Sequence, residues 1–588
     1  MHRVIKLALV LAPALVGNAP VRCQPVCQTL ITGGTITNQT WTAAGSPYCV
    51  LGNINVSSLS IGPGVTVLLN AGVQINVTVR LTTNGTKNQP ILFTERTTGQ
   101  PWAGFLFQNT SGSVLDHCII EHANQSGIRI VNSALTIRDC VIRNNWSPGN
   151  GGGVDISLAS GSLTLTRCEI MDNQSASHGG GVNAIVSAGV LTLDGCSIMR
   201  NRANPGSANP GWHVGGGLRA EGHVLLMNCV VSRNESYAVD NCAVEGRAGG
   251  IYCNSGNVTM RNCIISRNHV SGYQAAWWCG GGSNTSCLAR GGGVYFNYGN
   301  GTLTMTNCQV SCNSGGVARN SGGGPIYVSG SGVFVASGAT ATITNCTLAK
   351  NQAHAIENAG GTVNINSSIL YFNNGNGAQT MGTVSCTYSD VQGGAPGNGN
   401  INFNPGFVGF GCEPTDLVIV PGSPCMDAGD PSLPDSQTCH SPTGGGTLND
   451  MGTHGGPGLC SFQPPTLLYC AGMPYGQVRG GSNTLDLDWI PQPGSPQNLG
   501  TVVASGATPG GPGFFLAGLC PGESMLGSMT LLINPACPFL LTRFPFDAQG
   551  RLSFAWDLHV PFLAGIPFHL QVVDLTTGSI SNGLALLP

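Results

Sequence analysis

The chain has 588 residues, only 8% of them charged, and a formal net charge of −3, whereas soluble domains average roughly 25% charged. It contains no basic run, so the electrostatic footprint of a nucleic-acid-binding protein is missing. Its 88 glycines and 35 prolines lack the every-third-residue period of a collagen helix and imply closely spaced turns instead.

The first residues, "MHRVIKLALVLAPALVGNA", have a basic start, a short apolar run and small residues after it. They are expected to be a secretory signal spanning 1–22. No later run approaches the ~20 apolar residues of a membrane helix. The mature chain is therefore expected outside the membrane, secreted, extracellular or at the cell surface, with no membrane span.

From residue 111 one phrase recurs: "LTIRDCVIRNN" from 135, "LTLTRCEIMDN" from 163, "LTLDGCSIMRN" from 191, "LTMTNCQVSCN" from 303. Aligned, it puts Cys118, Cys140, Cys168, Cys196, Cys229, Cys263, Cys308 and Cys346 in one column, with Ser368 in the ninth place. The spacings are 22, 28, 28, 33, 34, 45, 38 and 22 residues. A minimal unit of 22 lengthened by insertion fits one coil of a parallel β-helix whose loops grow on one side. Within a unit Leu163 and Leu165 alternate with threonines, and Cys168 with Ile170, the period of half-buried strands. The three-residue step from 165 to 168 suggests a bend.

Five residues after each ladder position stand Asn145, Asn173, Asn201, Asn234, Asn268, Asn313, Asn351 and Asn373, with Ala123 as the departure in the first unit. In coils stacked ~4.8 Å apart each amide can donate to one neighbour and accept from the other, which explains why a turn demands one residue type. Glycine runs, such as "GGGV" at 151–154 and 179–182, mark the re-entry into each coil, where backbones approach closely. No Lys-Ser or Lys-Thr follows these runs, so they are not phosphate loops. The cysteine column has no C-x-x-C spacing and reads as core, not as a metal or redox site. No cofactor and no metal are expected.

At its two ends the repeat resembles a known family, the secreted bacterial proteins built on right-handed parallel β-helix repeats of the pectin-lyase-like type. Near the start the likeness rests on "TWTAAGSPYCVLGNINV" (40–56), "SIGPGVTVLLN" (60–70), "NQPILFTE" (88–95) and "WAGFLF" (102–107). Near the end it rests on "TYSDVQGG" (387–394), "GNINFNPGFV" (399–408), "PGSPCMDAGDP" (421–431) and "NDMGTHGGPG" (449–458). Asn402 and Asn404 replace aspartates usual there. Asp427, Asp430 and Asp450 are expected to cap turns, since no set of six or more oxygen ligands for calcium can be drawn.

The resemblance implies an all-β chain: a right-handed parallel β-helix followed by a small antiparallel β-sandwich. The expected limits are 23–110 for the N-terminal cap and first coils, 111–384 for the repeats, 385–464 for the closing segment and 465–588 for the C-terminal domain. That last part alternates in "NTLDLDWI" (483–490) and "RLSFAWDLHV" (551–560), and its ending is similar to a module of proposed sorting or attachment role. Asp486 and Asp488 there read as an exposed polar strand face. Of 24 cysteines, Cys279 with Cys287 and Cys520 with Cys537 are the preferred bridges; other connectivities stay open.

The insertions after each ladder asparagine carry Trp146, Trp212, His213, Tyr237, Tyr273, Trp277 and Trp278, all leaving one corner. Flat rings on a solvent-facing wall suit stacking on sugar faces, so Trp212, His213, Tyr237, Tyr273, Trp277 and Trp278 are the candidate glycan-binding residues. The competing expectation is a satellite core beneath long loops. A polysaccharide or cell-surface glycan is the expected partner, and the role glycan-binding or adhesive. The superfamily's lyases and hydrolases supply the alternative, for which Asp240, Glu245, Arg247, His213, His269 and Arg290 could assemble a site; Lys87 and Lys350 lie outside the long loops. A purely structural surface protein is the third reading. Catalysis therefore stays open, leaning to none.

Overall fold

The computed structural model describes residues 26–203, 214–240, 244–274 and 287–297. It also describes 299–455 apart from 300, 321–325, 330–331, 375–376, 410, 413, 421, 434–447 and 454, and separate strands from 474 onward. Each coil visits three sheets. The coil that carries LTLTRCEIMDN places Val154–Leu158 and Leu163–Thr166 on the first sheet, Glu169–Met171 on the second and Gln174–Ser175 on the third. The next coil stacks on it in parallel, with Leu163 opposite Leu191, Ile170 opposite Ile198 and Ser175 opposite Ala203. Repetition gives parallel sheets of 22, 14 and 6 strands. Their inward residues, such as Leu165, Ile170, Leu193 and Ile198, form one continuous buried core.

Two corners of each coil are turned by single left-handed residues. Arg167 (φ 50°) stands just before Cys168, and Asp172 (φ 55°) just before Asn173. Their counterparts are His117, Asp139, Asn228, Asn262, Asn307 and Asn345 at the first corner, and Asn144, Arg200, Arg233 and Arg267 at the second. Such a residue breaks the inward–outward alternation, which accounts for the three-residue step, and it turns the next side chain into the core. Left-handed backbone costs a non-glycine residue roughly 1–2 kcal/mol, so the interior bonds at each corner must offset it.

Those bonds are ladders. The Cys168 backbone N–H donates to the Cys196 sulfur at 3.5 Å, and the Cys196 thiol faces the Leu165 carbonyl at 3.4 Å. At the ninth place the Ser368 hydroxyl accepts the Cys346 N–H at 3.1 Å and donates to the Asn366 carbonyl at 2.8 Å. One corner further on, the amide of each asparagine from Asn145 to Asn351 donates to the Oδ1 of the next asparagine, and the run ends with Asn373 donating to Gln379. At the glycine run 179–181, Gly179 has φ 61°, a Cβ on Gly180 would strike the Arg202 backbone, and one on Gly181 would lie 2.8 Å from the Asn201 amide. Only glycine fits there.

The insertions do not leave as free loops. Glu235–Asp240, His269–Gln274 and Ser314–Asn320 lengthen the third sheet, while Val244–Arg247, Cys287–Arg290 and Ile326–Ser329 return as a parallel three-stranded sheet. A Cβ on Gly246 would lie 2.7 Å from Val270 Cγ2, so the two layers form a close-packed wing.

The ends are fastened covalently. A Cys27–Cys49 disulfide ties the chain just before the first coil's strand Thr29–Ile31 to the neighbouring strand Tyr48–Val50, and Cys312–Cys412 ties the closing segment to a second-corner residue. Lys350 Nζ adds bonds to the Gly409 and Gly411 carbonyls at 3.3 and 2.8 Å. The closing segment has its own small core of Ile369, Tyr371, Ile419, Cys425 and Met451. Asp430 accepts the Ser432 N–H at 2.9 Å as a turn cap, whereas Asp450 accepts the Asp427 N–H at 2.7 Å across 23 residues. The bridges Cys279–Cys287 and Cys520–Cys537 lie outside the described residues. From 474 the strands pair antiparallel, for example Pro512–Gly518 with Phe539–Pro545 and Phe568–Asp574. Their packing as a sandwich, and the faces of Asp486 and Asp488, lie outside the described residues. Among the described residues no helix is long and apolar enough to cross a membrane, and disulfides form in extracytoplasmic compartments.

Candidate functional site

Register stacks like positions of successive coils into outward columns. On the third sheet Trp146, Gln174, Arg202, Glu235, His269 and Ser314 pair in turn, at the first residue after each asparagine turn. The alternate residues Ser147, Ser175, Ala203 and Ser236 are buried, so this column faces outward; Trp146 is 42% exposed. Arg202 Nε lies 3.4 Å from Glu235 Oε2, Ser271 Oγ donates to Glu235 Oε1 at 3.3 Å, and His269 Nδ1 lies 2.8 Å from Ser314 Oγ. Burial lowers the pKa of His269, against the pull of the Glu235 carboxylate, so its imidazole is neutral at neutral pH. An arginine, a carboxylate and a neutral imidazole thus share one face of three adjacent coils.

A second column on the first sheet follows the re-entry glycines. Tyr252, Tyr295 and Phe334 stack at centroid distances of 5.5 and 4.4 Å, with Arg247 over Tyr295 at 5.4 Å and Arg290 over Phe334 at 5.2 Å. All three rings are buried, together with Val214, Ala248 and Ala336. A satellite core therefore does lie at the root of the wing, built from aromatics other than those of the insertions. Toward the N-terminus the same column becomes polar: Asn183 Nδ2 donates to Asp155 at 2.8 Å, and Arg219 donates to Asn183 at 3.0 Å and to Glu221 at 2.8 Å. Burial raises the Asp155 pKa, though its bond to Asn183 opposes this.

A third feature is a groove of about 850 Å³ along the first corner, bordered by Lys87, His117, Arg167, Glu169 and Asn228. Of its lining residues, His117 binds Asp116 through Nδ1 at 2.7 Å and Asp139 holds Arg167 through two 2.7 Å bonds, while Arg138 binds Asp116 at 2.6 Å. Burial alone would raise Asp116, but these hydrogen bonds outweigh it and hold the carboxyl below its usual range. Asp116, His117 and Asp139 bring ligand-type atoms within 4.8 Å of one another, yet both carboxylates are already neutralised by arginine.

Of the sequence-level candidates, Tyr237 is half-buried on the third sheet beside the Arg202–Glu235–His269 column, and Tyr273 is placed by its backbone alone, opposite Val239. Trp212, His213, Trp277 and Trp278 lie outside the described residues. His269, Arg247 and Arg290 are brought to the wing. Asp240 and Glu245 are placed there by backbone only. Arg202 and Glu235 escaped sequence reading, although each directly follows a ladder asparagine, and that offset is the signal that marks the column.

A right-handed β-helix region model matches residues 44–198 and 175–331, so this part of the chain is a right-handed β-helix. Among solved structures the chain is similar to the pectate lyase Pel9A, at 12% identity and a TM-score of 0.34, covering 67% of this chain and 89% of that one. No curated protein matches the chain.

Proposed function

We propose that this is a secreted or cell-surface solenoid that binds an extended glycan across the outer face of its third sheet, beside the wing. The observation that supports this reading is the outward column Trp146–Gln174–Arg202–Glu235–His269–Ser314. It offers a ring for stacking at one end, then a run of hydrogen-bonding groups at strand spacing, about 24 Å in all. Trp277 and Trp278 of the longest insertion are proposed as further glycan contacts.

A second reading, polysaccharide lyase, is favoured by the same face. Arg202 would neutralise a uronate carboxylate, and the neutral His269 has the protonation state of a general base. A hydrolase needs two facing carboxyl groups, and Glu235 is the single carboxylate of this column.

A glycan array with the full chain, followed by assays of each hit for double-bond absorbance and reducing ends, tests both. Binding without turnover, weakened at least tenfold in Arg202→Ala and Trp146→Ala, supports the first reading, and turnover supports the second. Silence in all assays leaves a structural surface protein.

A further inference from the structure

The groove at the first corner is one reach of a longer channel, and the chain fills the other reach itself. Over the coils of Asn307, Asn345 and Ser367 the segment from Asn449 to Gly455 lies along the corner. The Asn345 amide donates to the Asp450 carbonyl at 2.9 Å, and the Asn307 amide donates to the carbonyls of Thr453 and Gly455 at 3.1 and 2.6 Å. Gly452 N–H donates to the Ser367 carbonyl at 2.8 Å and Thr453 N–H to Thr347 Oγ1 at 3.1 Å. The corner thus recognises a peptide by its backbone, with left-handed residues as one wall and the residues just after the ladder position as floor.

The same positions line the open reach. His117, Arg167 and Asn228 are left-handed corner residues like Asn307 and Asn345, and Val141, Glu169 and Ser197 are floor residues in the place of Thr347. From the coil of His117 to that of Asn228 the reach covers four coil steps, about 19 Å, or about six residues of extended chain. Its floor is apolar at Val141 and ends beside Lys87.

We infer that the open reach, from Lys87 to Asn228, is a docking channel for an extended polypeptide strand of a partner protein. The partner would be bound through its backbone, with an apolar side chain over Val141 and an acidic one toward Lys87. Continuity with the seat of Asn449–Gly455 carries this: register, corner conformation and floor position are shared, while the donating amides of Asn307 and Asn345 give way to His117, Asp139 and Arg167 in the open reach.

A random extended-peptide library, panned against the full chain and read by fluorescence anisotropy with the selected synthetic peptides, tests it. Glu169 is exposed, so Glu169→Trp would obstruct the floor without entering the core. Peptides with the apolar–acidic pattern should be selected, lose at least tenfold in affinity in Glu169→Trp and Lys87→Glu, and keep it in Arg202→Ala on the third sheet. Hydrogen exchange should slow at 117–119 and 139–141 when they bind. Selection of no peptide, of peptides indifferent to Glu169→Trp, or protection of these residues by oligosaccharides instead would overturn the channel; glycan binding at the third sheet is scored separately.

Discussion

The side-chain amide of Asn201 donates to Oδ1 of Asn234 at 3.0 Å, and the backbone N–H of Asn201 donates to that same oxygen at 3.0 Å. The same amide also reaches back to the Ile170 carbonyl at 2.8 Å. Each asparagine thereby binds three coils at once. Asn201→Ala would strip the acceptor from the backbone and side-chain N–H groups of Asn173 and the donor from Ile170, all in a fully buried site. Stability should fall by about 1–3 kcal/mol in urea unfolding. No change would mean that the ladder bonds carry no net free energy.

The cysteine column makes a different forecast. Burial pushes the Cys140, Cys263 and Cys308 thiols well up, and that of Cys253, which lies outside the column in the first-sheet strand Ile251–Cys253, up to about 12, so they stay as unreactive thiols. They should resist alkylation in the folded protein and react fully once it is denatured. Because Ser368 already serves as one rung, Cys196→Ser should be tolerated better than Cys196→Val, whose branch would crowd the stack and leave the Cys168 N–H without its acceptor. Thermal melts of the two variants decide the order.

The interior was legible because a stacked core position constrains identity at every coil, so cysteine, asparagine and glycine recur in columns that spacing alone reveals. The corners were only half legible. The three-residue step implied a bend, but Arg167 or Lys350 in a left-handed conformation carries no signature of its own. Outer columns such as Arg202–Glu235–His269 do not repeat in identity, and the insertions between them differ in length. The closing segment was hardest, since Asn307 meets Gly455 across 148 residues and Cys312 meets Cys412 across 100, separations no local pattern encodes.

Asp390 should give the fold a pH dependence opposite to that of a salt-bridged carboxylate. It is fully buried, its Oδ2 lies 3.2 Å from the Cys425 thiol and its Oδ1 accepts the Phe403 N–H. Burial raises its pKa to about 6, from an ordinary 3.8. The folded state therefore binds the proton more tightly than the unfolded one. The stability this contributes is complete below pH about 4 and is lost as pH rises toward about 6, by up to about 3 kcal/mol. Asp390→Asn should flatten that part of the stability profile, and a wild-type profile that rises through the same window after correction for other groups would contradict the assignment.

His269 should act in the reverse sense and nearer neutrality. Its folded pKa is depressed by burial, so its contribution is complete above its unfolded value of 6.5 and is lost as pH falls through the lower folded value. His269→Gln should remove this component. If the face also performs acid–base chemistry, the same depressed pKa should appear as the acidic limb of kcat/KM.

The stacked rings at the root of the wing separate support from recognition. Tyr295 is fully buried between Tyr252 and Phe334, with the Arg247 guanidinium over its face. Tyr295→Ala would leave a large cavity and remove the ring beneath that cation, a loss of about 3–5 kcal/mol by analogy with aromatic truncations elsewhere. The damage should concentrate at the wing root, because the solenoid core faces the other side of the sheet. Limited proteolysis should therefore cut the wing strands Glu235–Asp240, Val244–Arg247 or Cys287–Arg290 before it cuts a coil. Trp146 is exposed and remote in register from this stack, so Trp146→Ala should leave the proteolytic pattern untouched while weakening glycan binding. If instead Tyr295→Ala abolished binding with the wing still resistant to protease, the buried stack itself would belong to the binding site, and the outward column of the third sheet would lose its claim to it.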